Sequence, residues 1–266
     1  MRISAWLGAL LLATLVAVAC GDGDDAPGTP GAVAHPTGPR EVILQYDVYG
    51  GLIPYPAPLT APKLVLYGDG RLLLRGQDGI DEVRLAEPGI QRLLRVVLEA
   101  RFFDTPEFTT SNGCADCPTT RIRAAANGAS KTADVYALGI ATPEATYDTA
   151  AWQRLEGLAR FLDAVTAATF RPGDSTGSGP YAPGALWVQS FATEIDPPPT
   201  GAVPDWPASL PPAATLMNGA ALCGAQAQTL RALLPAGGAV RDGSGISFIG
   251  YRDLLPDDAG ADACGL

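Results

Sequence analysis

Two tight-turn signals on either side of one amphipathic segment restrict this chain to an α+β plan. Gly68-Asp69-Gly70 separates residues 63–67 from 71–75, and Asn127-Gly128 separates 119–126 from 130–137. Glycine and asparagine tolerate the positive φ angles of hairpin turns, so each site predicts an antiparallel pair of strands. Between the hairpins, Glu87-Pro88 opens a helix, with proline where its missing N–H costs no hydrogen bond. Ile90, Leu93, Leu94, Val97 and Leu98 then recur at helical spacing and make one apolar face, which Phe102-Phe103 caps in the core. Asp148-Thr149 caps a second helix, whose buried stripe is Trp152, Leu155, Leu158, Ala159, Leu162 and Val165.

The remaining signals extend this plan. Residues 42–49 are rich in β-branched and aromatic side chains and predict a strand that stops at Gly50-Gly51. A proline-rich loop follows, and 81–86 adds a strand. The Gly/Ser/Pro-rich stretch 170–180 is the best boundary in the chain. Beyond it the pattern predicts a strand over 186–195, a proline-rich passage over 197–212, a helix over 225–234 and two strands around 241–245. The expected organisation is a tether over 20–40, an α+β domain over 41–168, a linker over 169–180 and a smaller α+β unit over 181–266. The fold class is α+β: antiparallel strands and hairpins with two packed helices, then the smaller unit.

The start of the chain specifies an address. Arg2 supplies a positive charge, residues 3–19 carry none, and Ala17-Val18-Ala19 precedes Cys20. Charge, apolar core and small residues before a cut make a secretory signal over 1–19. The cysteine after the small residues resembles the bacterial lipobox, although Ala17 stands where leucine is commoner. That resemblance implies cleavage before Cys20 and lipidation of its sulfur, with palmitate-type chains. Two or more acyl chains hold a protein stably to a membrane where one does not. The expected location is the cell membrane or outer membrane, lipid-anchored and extracytoplasmic. Residues 21–40, opening Gly-Asp-Gly-Asp-Asp, are too polar and too rich in Pro and Gly to bury a core, and predict a spacer.

Removing the first 19 of 266 residues leaves 247 and takes the net charge from −10 to −11 by loss of Arg2. An acidic surface repels phosphate backbones, so a nucleic-acid partner is not expected. Besides Cys20 there are four cysteines, and an even number in an exported chain predicts disulfides. Of three possible pairings, Cys114 with Cys117 is favoured because they are neighbours. Cys223 with Cys264 then staples the C-terminal tail. Cys114-Ala-Asp-Cys117 also fits a redox dithiol, but such a thiolate needs a helix N-terminus, and the flanking Thr109-Thr110-Ser111-Asn112-Gly113 and Pro118 predict a loop.

Catalytic constellations are sparse. The single histidine, His35, falls in the expected tether, which removes histidine-based triads. Gly173-Asp174-Ser175-Thr176-Gly177 matches a nucleophile elbow by letter but lacks the strand, helix and histidine that the motif needs. Asp104 with Glu107, and Asp253, Asp257 and Asp258, are the carboxylate groupings available for acid–base work. No metal site, cofactor or Gly-rich phosphate loop is expected, and the chain is read as a non-enzyme.

Several short motifs carry a resemblance. Gly50-Gly51-Leu52 follows the first strand, and Leu64-Val65-Leu66-Tyr67 and Arg71-Leu72-Leu73-Leu74 flank the first turn. The helix ends in Ala100-Arg101-Phe102-Phe103, and Asp116 precedes the Asn127-Gly128 hairpin. Trp206-Pro207 and Leu254-Leu255-Pro256-Asp257 follow. Over residues 41–258 this pattern resembles a group of uncharacterised bacterial lipoproteins. Residues 41–168 also look like the emfourin-type inhibitors of thermolysin-like metalloproteases, which implies protease contact through Gly50, Gly51, Leu52, Ile53 and Pro54. Pro54 stands where that family has glycine. The expected function is a lipid-anchored envelope protein with a non-catalytic binding or structural role, its partners the membrane and an extracytoplasmic protein or protease. The alternatives are an anchored metalloprotease inhibitor and an envelope enzyme using carboxylates or thiols.

Overall fold

The computed structural model describes residues 31–52, 59–76, 79–106, 108–109, 111–112, 114–143, 147–167, 174–192, 202–235, 237–243 and 245–266. β1 (Val42–Gly50), β2 (Leu64–Tyr67), β3 (Arg71–Arg75) and β4 (Ile80–Leu85) lead into α1 (Glu87–Glu99). β5 (Phe108–Thr109), β6 (Ser111–Asn112), β7 (Pro118–Ala126), β8 (Ala129–Tyr136) and β9 (Thr142–Pro143) precede α2 (Thr149–Ala167). β10 (Ser175–Pro180), β11 (Ala185–Ala192), β12 (Ala220–Cys223), α3 (Gly224–Leu233), β13 (Gly238–Asp242) and β14 (Gly245–Asp253) follow. The fold is α+β. An eight-stranded sheet has the order β10-β4-β3-β2-β1-β7-β8-β5, and a four-stranded sheet the order β12-β11-β14-β13. Pairing is antiparallel except at β5, which runs parallel to β8.

Alternation along the strands sorts the side chains onto two faces. Leu64, Leu66, Leu72 and Leu74 pack with the apolar faces of α1 and α2: Ile90, Leu93, Leu94 and Val97, and Trp152, Leu155, Leu158 and Leu162. Val65, Tyr67, Leu73 and Ile80 face the other way, against Ala61, Tyr181 and Leu255. The second sheet has its own core, in which Leu186, Val188 and Ile249 pack on Leu230 and Ala227 of α3.

Two expected boundaries shift. The tether was expected to reach residue 40, but residues 33–40 form a strap on the core. Gln91, buried on α1, accepts from the Val33 N–H at 2.7 Å and donates to its carbonyl at 2.9 Å. Asn127 donates its N–H to the Ala34 carbonyl at 2.7 Å. His35 is therefore not in a free spacer; its ring contacts the Pro36 carbonyl and the Glu87 carboxylate. The linker expected over 169–180 also ends early, because Ser175–Pro180 pairs with β4. Its Gly/Ser composition offers no side chain to bury, yet its backbone groups complete the open edge of β4, which composition alone does not reveal. Asp174 anchors this strand: its carboxylate takes the Arg92 guanidinium, and its carbonyl accepts from the Ala86 N–H at 2.8 Å.

The 181–266 segment is not an isolated unit, since Tyr181 and Leu255 share a core with the first sheet. Residues Val33–Leu266 fold as one compact unit. Both expected disulfides are present, Cys114–Cys117 with Cα atoms 5.9 Å apart and Cys223–Cys264 at 5.3 Å. No helix among the described residues is long and apolar enough to cross a membrane.

Candidate functional site

The end of β1 is built from residues with unusual backbone freedom. Gly50 and Gly51 adopt φ of 75° and 82°, a region glycine enters without steric cost. Gly50 still pairs with Pro118 at the start of β7, so the chain turns off the sheet directly beside the loop that the Cys114–Cys117 bond closes. The contact there is close. A Cβ at Gly51 would lie 3.1 Å from the Asp116 carbonyl oxygen and 3.2 Å from the Pro118 nitrogen.

That loop is fixed from below. The Tyr136 hydroxyl, at the end of β8, accepts from the Cys117 N–H at 2.9 Å and donates to the Cys114 carbonyl at 3.2 Å. Asp116 sits at φ 56°, a conformation aspartate tolerates better than most residues. Ala137 then donates its N–H to the Pro118 carbonyl at 2.8 Å and starts the turn that carries Ile140. Leu52 is 90% exposed and Ile140 61% exposed. Two apolar side chains thus project from one end of the sheet, beside backbone held by a covalent bond and part-buried hydrogen bonds.

The two sheet faces differ at this end. On one side Tyr49 lies under the Arg121 guanidinium at 4.9 Å, and Arg121 pairs with Asp134 at 2.8 Å. The bond to Asp134 raises the Arg121 pKa. On the helix side a cavity of about 310 Å³ is lined by Tyr46, Val48, Lys63, Leu138, Ile140 and Asp163 among others. Lys63 bridges to Asp163 at 2.8 Å and stands 5.5 Å over the Tyr46 ring. Burial, reinforced by Asp163, pushes the Tyr46 hydroxyl far above the usual tyrosine range. Burial likewise raises Asp47, with Arg75 acting against it from 3.8 Å.

The other sequence candidates are placed as follows. Asp253 pairs with Arg231, and Asp258 takes Arg252 in a two-pronged contact at 2.6 Å while accepting from the Leu255 N–H. Asp257 accepts from Tyr67 and Asp104 pairs with Arg101. These carboxylates serve as structural partners of cations, a backbone amide and a tyrosine. Both thiol pairs are bridged, and Ser175 opens an edge strand. Among the described residues no group of three or more His, Cys, Asp or Glu is arranged to hold a metal ion. Cys20, Ile53, Pro54 and Glu107 lie outside the described residues.

Sequence reasoning reached Gly50, Gly51 and Leu52 but missed Tyr136 and Ile140. The available signal was Leu138-Gly139-Ile140, an apolar stretch beyond a predicted strand end. Protein-family models, curated proteins and solved structures were compared with the chain, and none matches.

Proposed function

We propose that this is a lipid-anchored envelope protein with a non-catalytic binding role, and that the Gly50–Leu52 rim with Ile140 contacts its partner. One observation carries the reading: Gly51 lies against the backbone of the disulfide-closed loop while Leu52 beside it is 90% exposed. A contact loop already held in place loses little conformational freedom on binding, and that raises affinity. The signal segment and Cys20 support an extracytoplasmic address, as do two disulfides of a kind that persists in oxidising compartments.

The test is crosslinking of the native lipoprotein in its own membrane, repeated with Leu52→Asp and Ile140→Asp. A captured protein that disappears with both substitutions supports the rim as the contact. Capture unchanged by both overturns it.

The same pre-organised loop favours a second reading, an anchored inhibitor of thermolysin-like metalloproteases, in line with the emfourin-type resemblance. Incubating the folded body with such a protease and a reporter peptide tests it. Unchanged turnover at micromolar protein removes this reading and leaves the first intact.

A further inference from the structure

The cavity of about 310 Å³ on the helix side of the sheet brings together charges of both signs. α2 supplies three of them from one face. Glu156, Arg160 and Asp163 follow one another at four- and three-residue spacing, which aligns side chains along a helix. Lys63 supplies the fourth from the start of β2, where its carbonyl accepts from the Arg75 N–H at 3.0 Å. Two cations and two carboxylates therefore line the cavity, and their formal charges cancel. Val48, Leu138 and Ile140 add an apolar wall.

Each charged group keeps unused bonding capacity. Lys63 spends one of its three donors on Asp163, at 2.8 Å. Arg160 stands 3.8 Å from Glu156, beyond hydrogen-bond reach, so its fork of donors is uncommitted among the described residues. A carboxylate has about four acceptor positions. Glu156 gives one oxygen to the Trp152 indole N–H at 2.7 Å, and Asp163 gives one to Lys63.

We propose that this cavity binds a free apolar α-amino acid in its zwitterionic form. The site goes beyond the contact role of the rim and does not require it. A ligand with only a carboxylate would be drawn to Lys63 and Arg160 and repelled by Asp163 and Glu156. A lone ammonium would meet the reverse. A zwitterion sets an opposite charge against each group, and the apolar wall takes its side chain. The volume stands at the small end of ligand sites, roughly 300–1,000 Å³, which suits a molecule the size of one residue.

The test is equilibrium dialysis of the full chain against radiolabelled L-leucine. Three competitors each lack one feature: 4-methylpentanoate the ammonium, 3-methylbutylamine the carboxylate, and glycine the apolar side chain. The expected result is saturable binding of leucine, with every competitor weaker than unlabelled leucine by about tenfold or more, the loss of one charge-assisted hydrogen bond. Arg160→Gln should weaken leucine binding by about fivefold, less because this side chain is largely exposed. Its denaturation midpoint should match wild type, since the guanidinium makes no close contact to lose. Absence of saturable binding at millimolar leucine overturns the site. Displacement by the acid or the amine as strong as by leucine overturns the zwitterion, and equal displacement by glycine overturns the apolar wall. Unchanged leucine binding by folded Arg160→Gln places any binding outside this cavity and overturns the proposal.

Discussion

Tyr67 donates its hydroxyl proton to Asp257 at 2.6 Å, joining β2 to the C-terminal tail across 190 residues of chain. Tyr181 makes a parallel link at 2.7 Å to the Leu254 carbonyl. Both hydroxyls stand where the 181–266 segment covers the first sheet, and burial pushes both well above the usual tyrosine range. Tyr67→Phe leaves the Asp257 carboxylate without this donor and is expected to cost about 1–3 kcal/mol. Chemical denaturation measures it. A single transition, shifted as a whole, is the expected form, because the two sheets share one buried cluster. Two separate transitions in the wild-type protein would mean that the shared cluster does not couple them.

These tyrosines also set an alkaline limit. A folded-state pKa raised above the unfolded value contributes stability that is complete below the unfolded pKa. That stability is lost as pH rises, because the unfolded chain ionises first. Stability should therefore hold to about pH 10, the ordinary tyrosine value, and fall steeply above it. Ultraviolet titration should find three of the eight tyrosines ionising only with loss of structure. Smooth ionisation of all eight near pH 10 in protein that stays folded would contradict the burial of Tyr46, Tyr67 and Tyr181.

Asp47 gives the opposite test with a carboxylate. Burial raises its pKa, so the folded state favours the protonated form and the charged form weakens folding at neutral pH. Asp47→Asn is expected to melt at a higher temperature than wild type at pH 7, with the gain shrinking as pH falls through the raised folded-state value and gone below about 4, the ordinary Asp value. A gain independent of pH would rule out the charge as its source.

The Cys223–Cys264 bond closes a separation of 41 residues. In the chain-entropy description that stabilises by about 4 kcal/mol. Replacing both cysteines by serine should lower the unfolding free energy by about that amount. It should also free the tail that Arg40 and Arg252 hold, seen as faster proteolysis near residue 260. The smaller Cys114–Cys117 loop should contribute about 2 kcal/mol by the same relation.

Gly51→Ala addresses the rim. The added methyl meets backbone at 3.1 and 3.2 Å in a left-handed conformation, a strain of roughly 1–3 kcal/mol. Partner capture should weaken far more than global stability, as read by crosslinking yield against denaturation midpoint. Undiminished capture would show that the rim tolerates displacement and is not the contact.

Much of the framework was legible because it rests on local rules. The Asn127-Gly128 turn, the Glu87-Pro88 helix start and the apolar stripe of α2 follow from backbone sterics and side-chain spacing alone, and all three appear where those rules place them. The disulfide pairing followed from cysteine count and proximity. The proposed signal segment and anchor at Cys20 likewise rest on local features alone. The strap, β10 and the Tyr67–Asp257 link were not legible. Each depends on a partner 50 or more residues away, and a Gly/Ser-rich or Pro-rich segment has the same composition whether it stays in water or completes an open sheet edge.

The sequence by itself determined the helices, the hairpins and the cysteine pairs, because those depend on residues within a few positions or on simple counting. Only the tertiary structure decided that Gly51 would lie on the Cys114–Cys117 loop, that Ile140 would join Leu52 at one end, and that Ala34 would bond to the Asn127 turn at the other. Strand register and sheet order set those relationships, and they arise from the burial of both faces of the sheet at once, which no local pattern encodes.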